Sequence, residues 1–181
     1  MTVTVSRPAS KEPDEAWEGA AVDAPIEADL FRGLLRRHAA AVVVITAATG
    51  GRLAGFTATS FTSVSLRPPM VSFCVDRASS SWPVISDARH VAVHVLDAGQ
   101  QQLARTFATT GIDRFTAPTA WRPGRHGVPV LDGAQAVLIC RIVERVAAGD
   151  HAIVLAEPVH GEHAEEGTPL LYHAGEYRLV G

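Results

Sequence analysis

Cysteine is nearly absent from this chain: 2 residues in 181, Cys74 and Cys140. Both lie inside apolar runs, Val71–Val75 and Ala136–Val143, where a thiol packs as a small hydrophobe, and two such residues far apart give no disulfide framework. A large excess of charge of one sign is also missing. Lys and Arg number 16 against 19 Asp and Glu, a formal net charge of -3 that offers no electrostatic footprint for nucleic acid. No run approaches the roughly 20 apolar residues of a membrane span. Residues 1–22 carry Lys, Glu, Asp and Pro and lack the uninterrupted apolar stretch of a secretory signal. The expectation is a cytoplasmic protein whose partners include neither nucleic acid nor membrane.

The familiar devices of catalysis and nucleotide binding are missing too. There is no Gly-x-Gly-x-x-Gly opening a helix, no phosphate loop ending Gly-Lys-Ser/Thr, no Gly-x-Ser-x-Gly elbow and no His-Glu-x-x-His. A nucleotide here must be held by something else. Metal is not expected either. His160-Gly-Glu-His163 reads as a Gly-rich loop with neither Cys close by, and His90 and His94 share one face of a strand at a separation too long for easy chelation.

What is present is enough for a core. With 47% hydrophobic and 19% charged residues, a chain of this length reads as one domain. Residues 1–24 are polar and without periodicity, an expected flexible arm, and the domain is expected over 25–181. Leu30, Leu34 and His38 recur at helical spacing, as do Phe31 and Leu35, predicting an amphipathic helix from Ile26 to about Ala40. Gly50-Gly51 can turn a hairpin between Ala41–Thr46 and Arg52–Phe56. Further strands are expected at Met70–Val75, His90–Leu96, Ala136–Val146, Ala152–Val159, Leu170–His173 and Tyr177–Val180, seven or eight in all. Short helices are expected near Ser81 and after Asp97, where Gln100 completes a capping-box pattern. Many strands, short connections and few helices predict a mainly β fold, an antiparallel barrel and not a doubly wound parallel sheet.

Three segments carry candidate chemistry. The hydroxyl-rich stretch Thr57-Ala58-Thr59-Ser60-Phe61-Thr62-Ser63 can bind phosphate through hydroxyls and backbone N–H groups, or can be an edge strand rich in Thr. Ser79-Ser80-Ser81 precedes a helix whose free N–H groups attract an anion, or Ser81 simply caps that helix. Gly149-Asp150-His151 puts an imidazole at the start of a strand, where a functional role and an ordinary surface role are both open.

Five ordered blocks give these segments a common meaning: Gly55–Pro69, Cys74–Ser81, Phe107-Ala108 with Arg114-Phe115, Gly127–Ala134, and Gly149–His151. Together they resemble the flavin reductase family of FMN-binding split barrels, the small reductase components of two-component flavin-dependent monooxygenases. The resemblance covers about Phe31–Val180 and implies a split β-barrel. It implies that Thr57, Thr59, Ser60, Phe61, Thr62 and Ser63 bind the flavin, FMN or FAD, with Asp76, Ser79, Ser80 and Ser81 completing the cradle. Phe107 and Arg114 would close the phosphate end, and His151 would be the catalytic residue facing the nicotinamide of NADH or NADPH. Hydride transfer from that nicotinamide to the flavin, a homodimer, and a separate monooxygenase served by diffusing reduced flavin are likewise implied.

Many members carry Asn where this chain has Asp76. An amide donates and accepts, whereas a carboxylate only accepts, which alters any contact with a flavin carbonyl. Two other readings share the barrel. A flavin storage, sensor or electron-carrier protein would need no nicotinamide contact, and an intact Gly-Asp-His favours the enzyme. An oxidase of the pyridoxamine phosphate type would need a basic substrate-phosphate site, and only Arg122 and Arg125 stand near the expected flexible loop Trp121–Gly127.

Overall fold

A computed structural model describes residues 24–179. Apart from Ala24, the expected arm over 1–24 lies outside the described residues, as does Val180. Helix α1 (Ala28–Leu35) is followed by strands β1 (Ala40–Ala41), β2 (Val43–Thr49), β3 (Arg52–Ala58), β4 (Thr62–Leu66) and β5 (Pro69–Asp76). The single-turn helix α2 (Trp82–Ile85) leads to β6 (His90–Val95), and a 3₁₀ turn (Ala98–Gln100) to α3 (Gln101–Ala108). The remainder adds β7 (Trp121–Pro123), β8 (Pro129–Leu131), the long ribbon β9 (Ala136–Ala148) and β10 (His151–His163), and the hairpin β11 (Leu171–His173) and β12 (Glu176–Arg178).

The main sheet has seven antiparallel strands in the order β3-β2-β6-β9-β10-β5-β4. It curls until its edges meet: β3 touches β5, and Thr59–Phe61 crosses directly from one edge strand, β3, to the other, β4. Beyond the last rung between β4 and β5, Ser60 Oγ takes the ladder position, accepting from the Cys74 N–H at 2.9 Å. A hydroxyl thus closes the seam where backbone pairing stops.

Strand β2 explains its own sequence. Val43, Ile45 and Ala47 point into one core cluster with Phe73, Val75, Val91, Val93 and Val154, while Val44, with Val42 just before the strand, faces a second cluster with Ala104, Phe107, Leu131 and Leu170. Both faces are covered, so the run reads as continuously apolar and does not alternate. Helix α2 seals one end of the first cluster with Val84 and Ile85. Arg145 pins that helix by donating to the carbonyls of Ile85, at 3.0 Å, and Ala88.

His94 is fully buried and fully satisfied: Nδ1–H donates to Val44 O at 2.9 Å and Nε2 accepts from the Leu131 N–H at 3.0 Å. It serves packing. His90 stacks on His126, with ring centroids 3.8 Å apart. Cys140 is buried, and burial pushes its thiol up to about 12.

Several expectations need correction. Helix α1 stops at Leu35, not Ala40, and the chain after it is tied to the β11–β12 turn: Arg36 donates to Ala174 O at 2.8 Å while the Ala174 N–H donates to Arg36 O. Twelve strands are present among the described residues, because β1, β7 and β8 have only two or three residues and β4 hides its alternation behind Ser and Thr. The Trp121–Gly127 segment is a strand and a 3₁₀ turn, with Arg122 paired to Glu162 at 2.7 Å. His160 and His163 lie on β10, which runs four residues beyond the expected end. Among the described residues no helix is long and apolar enough to cross a membrane.

Candidate functional site

A cavity of about 400 Å³ opens at the seam between the sheet edges. Its walls come from the end of β3, the Thr59–Ser60 link, the end of β5, the turn before α2, the end of α3 and the first residue of β10. Ten of the thirteen residues expected to bind a cofactor line it. Thr57, Thr59 and Ser60 form one side, Asp76 and His151 another, Ser79, Ser80 and Ser81 the turn, and Phe107 and Arg114 the far end. Phe61, Thr62 and Ser63 fall outside, on and just before the edge strand β4. The hydroxyl-rich stretch divides: Thr57–Ser60 lines the cavity, and Thr62 and Ser63 are edge strand.

Several hydroxyls are already engaged. Thr57 Oγ1 donates to Ala104 O at 2.6 Å, tying β3 to α3. Ser81 is buried and donates to Gly55 O at 2.9 Å, so it neither caps α2 nor has a free proton for a ligand. Gly55 is required where Phe107 lies across the strand: a Cβ there would stand 2.5 Å from the Phe107 ring. Phe107 is itself buried, and supports the cavity from beneath.

Other groups remain unmatched. Ser79 Oγ is buried without a hydrogen-bond partner among the described residues, a state that costs on the order of 1–3 kcal/mol unless a ligand relieves it. Arg114 donates through Nε and Nη2 to Thr109 O at 3.1 and 2.6 Å and reaches Ser80 Oγ at 3.4 Å. Among the described residues it has no carboxylate partner, and partial burial lowers its pKa from the ordinary arginine value. Its partners are a backbone carbonyl and a hydroxyl, both neutral. The positive charge comes from this side chain and not from α2, whose single turn carries little aligned dipole.

His151 pairs with Asp76 across the β10–β5 ladder, and both line the same cavity as Arg114. His151 Nδ1 lies 2.6 Å from Asp150 Oδ1, and the imidazole holds the Asp150 carboxyl below the usual carboxylate range. With Nδ1–H donating to Asp150, Nε2 is the free ring nitrogen. Asp76 Oδ1 accepts from the Ala78 N–H at 2.7 Å, leaving the second oxygen as an acceptor only.

Sequence reasoning missed Cys74, which is half-buried and lines the cavity instead of filling core. The signal was available: on β5, Val71, Phe73 and Val75 are buried, so Cys74 shares the opposite face with Asp76. Phe56, Ala58, Ala108 and Thr110 complete the lining.

Comparison with known proteins agrees with this geometry. A family model described as the flavin reductase like domain matches residues 35–181. An NADH:FMN oxidoreductase of Rhodococcus qingshengii is 41% identical, with 81% of this chain and 79% of the relative covered. The reductase component of a 4-nitrophenol 4-monooxygenase/4-nitrocatechol 2-monooxygenase from Rhodococcus opacus is 37% identical over 84% of this chain and 81% of that protein. An NADH:FAD oxidoreductase of Streptomyces globisporus, solved with NAD and FAD fragments, superimposes with a TM-score of 0.82 at 32% identity, covering 90% of this chain and 98% of that one.

Proposed function

This chain belongs to the flavin reductase like family, and from that premise we propose that it is an NAD(P)H-dependent flavin reductase supplying reduced FMN or FAD to a separate flavin-dependent monooxygenase. The observation that carries the reading is the cavity itself: Arg114 without a carboxylate partner, the orphan Ser79 hydroxyl and His151 all line one hollow. Those groups fit a long amphiphilic ligand that ends in a phosphate.

When bound, a flavin supplies the ring that accepts a hydride from reduced nicotinamide. The chain's residues bind, align and shield. Arg114 and Ser80 would hold the phosphate, and Ser79 would gain a partner for its buried oxygen. Asp76, with one oxygen already committed to the Ala78 N–H, presents an acceptor suited to a ring N–H and not to a ring carbonyl. His151, held by Asp150 through Nδ1, keeps Nε2 as an acceptor for the carboxamide of the reductant. Positioning of this kind is the protein's main contribution where two cofactors react with each other.

Turnover tests the reading: protein with NADH or NADPH, with and without FMN or FAD, followed by nicotinamide absorbance. Flavin-dependent oxidation is expected, and tight flavin binding without turnover would make the protein a carrier. His151→Ala is expected to raise KM for the reductant several-fold while flavin affinity stays within about twofold, losses on the scale of one hydrogen bond. An unchanged reductant KM removes His151 from this role.

The functional unit is a homodimer in this reading. Every residue of α1 is exposed, and Leu30, Phe31, Leu34 and Leu35 are each at least 50% exposed, on a helix whose apolar residues are left uncovered among the described residues. A hollow beside that helix also reaches Thr59 and Ser60, so a second copy seated on α1 would border the flavin cavity. Light scattering is expected to give about twice the 19.2 kDa chain mass, and a monomer at micromolar concentration would contradict the assignment. Two free thiols, one half-exposed, fit a reducing cytoplasm.

A further inference from the structure

Arg114 and Asp76 bring opposite charges to the wall of the flavin cavity, and they differ in what is left to neutralise them. In the reading above, Arg114 is matched by the flavin phosphate. Asp76 has no such match. Its Oδ1 accepts from the neutral Ala78 N–H at 2.7 Å, and among the described residues no Lys, Arg or His forms an ion pair with it. His151 stands across from it in the β10–β5 ladder, but that imidazole is engaged by Asp150 at 2.6 Å. Arg77, the next residue, is exposed and does not line the cavity. The wall therefore keeps one uncompensated negative charge.

The guest changes its own charge during the reaction. A hydride is a proton with two electrons, so its transfer oxidises the reduced nicotinamide to a cation and leaves the two-electron-reduced flavin with one more negative charge than before. A fixed charge nearby then favours one redox state over the other. With Asp76 accepting from a ring N–H, its carboxylate touches the part of the guest that gains the charge. That separation is well inside the screening length of about 10 Å at 0.1 M salt, so the repulsion is felt.

We propose that the Asp76 carboxylate sets the redox preference of the cavity, weakening reduced flavin relative to oxidised flavin and so favouring release of the product. The inference rests on the reductase reading above and goes beyond it by giving one side chain a part in release.

Titration of wild type, Asp76→Asn and Asp76→Glu with oxidised FMN, and anaerobically with dithionite-reduced FMN, tests it without any nicotinamide. Asparagine keeps an oxygen for the Ala78 N–H, so the turn after β5 is preserved while the charge is lost. The ratio of the reduced to the oxidised dissociation constant is expected to fall about fivefold in Asp76→Asn, the scale of unit charges about 7 Å apart near solvent. Fivefold corresponds to a rise of about 20 mV in the midpoint potential of bound FMN, measured independently by redox titration. Asp76→Glu is expected to keep the ratio within about twofold of wild type, and the effect of Asp76→Asn to shrink with added salt. A changed hydrogen bond to a ring N–H, which both redox states carry, moves the two constants together and leaves the ratio alone. A ratio that is unchanged or raised in Asp76→Asn overturns the proposal while the flavin site stands, and so does an equal fall in Asp76→Glu. Wild-type protein that binds FMN and FAD in neither redox state overturns the reductase reading with it.

Discussion

Arg114→Ala is expected to raise the dissociation constant for FMN by about ten- to a hundredfold, with turnover at saturating flavin within a few-fold of wild type. A hydrogen bond from a charged donor is worth roughly 1.5–3 kcal/mol, and the half-buried setting of this guanidinium, with only the Thr109 carbonyl and the Ser80 hydroxyl as partners, places it at the upper end. Because the proposed contact is to the phosphate, away from the reacting ring, its loss is expected to act on affinity and not on the chemical step. Arg114→Lys keeps the charge and loses the fork, so it should recover only part of the loss. The wild-type constant should weaken with added salt, and the alanine variant should show a shallower dependence. Flavin fluorescence titration at two ionic strengths measures both. An alanine variant that binds FMN as well as the wild type places the phosphate elsewhere.

The second large effect is on acid stability. His94 is buried as the neutral ring, and burial lowers its pKa from 6.5 to about 4. The unfolded chain takes up the proton first, near pH 6.5, so the folded state loses stability as pH falls from 6.5 to about 4 and levels off below that. The displacement corresponds to about 3 kcal/mol. Glu162 and Arg122, the nearest charges, act in opposite directions and pair with each other, so neither dominates. Asp97, held below the ordinary carboxylate range chiefly by the Gly99 N–H, and Asp150 act lower still, below pH 4, which separates the two windows. Urea unfolding at pH 7 and pH 4.5 is expected to show most of this loss for the wild type. His94→Gln, which retains a donor and an acceptor but cannot titrate, should be less stable at pH 7 yet nearly flat across the interval. Parallel losses in the two proteins would show that another group controls the acid limb.

Much of this was legible in the sequence, for reasons that differ by element. The hairpin at Gly50-Gly51 and the capping box at Asp97 and Gln100 are local, and both appear where expected. The long strands β9 and β10 were found but underestimated, because exposed ends such as Glu162 and His163 carry no burial pattern. Strand β4 was ambiguous because its exposed residues are Ser and Thr, which suit a loop and an edge strand alike. Most expected site residues do meet in one cavity, yet the sequence could not tell which hydroxyls were free. That Ser81 is spent on Gly55 and Ser60 on Cys74, while Ser79 Oγ has no partner among the described residues, depends on contacts between segments 14 to 26 residues apart.

The strand order has a consequence for how the molecule is made. Strand β5 is completed at Asp76, but the partner on its inner side begins at His151, 75 residues later in the chain. During synthesis at about 5–20 residues per second, the β5 edge, with its apolar Val71, Phe73 and Val75, waits several seconds for β10 to emerge. The half of the cavity formed by Asp76 and His151 cannot exist until then. Holding an unpaired apolar edge for that long invites pairing with other nascent chains, so the yield of active protein is set by how this interval is protected as well as by the stability of the finished fold.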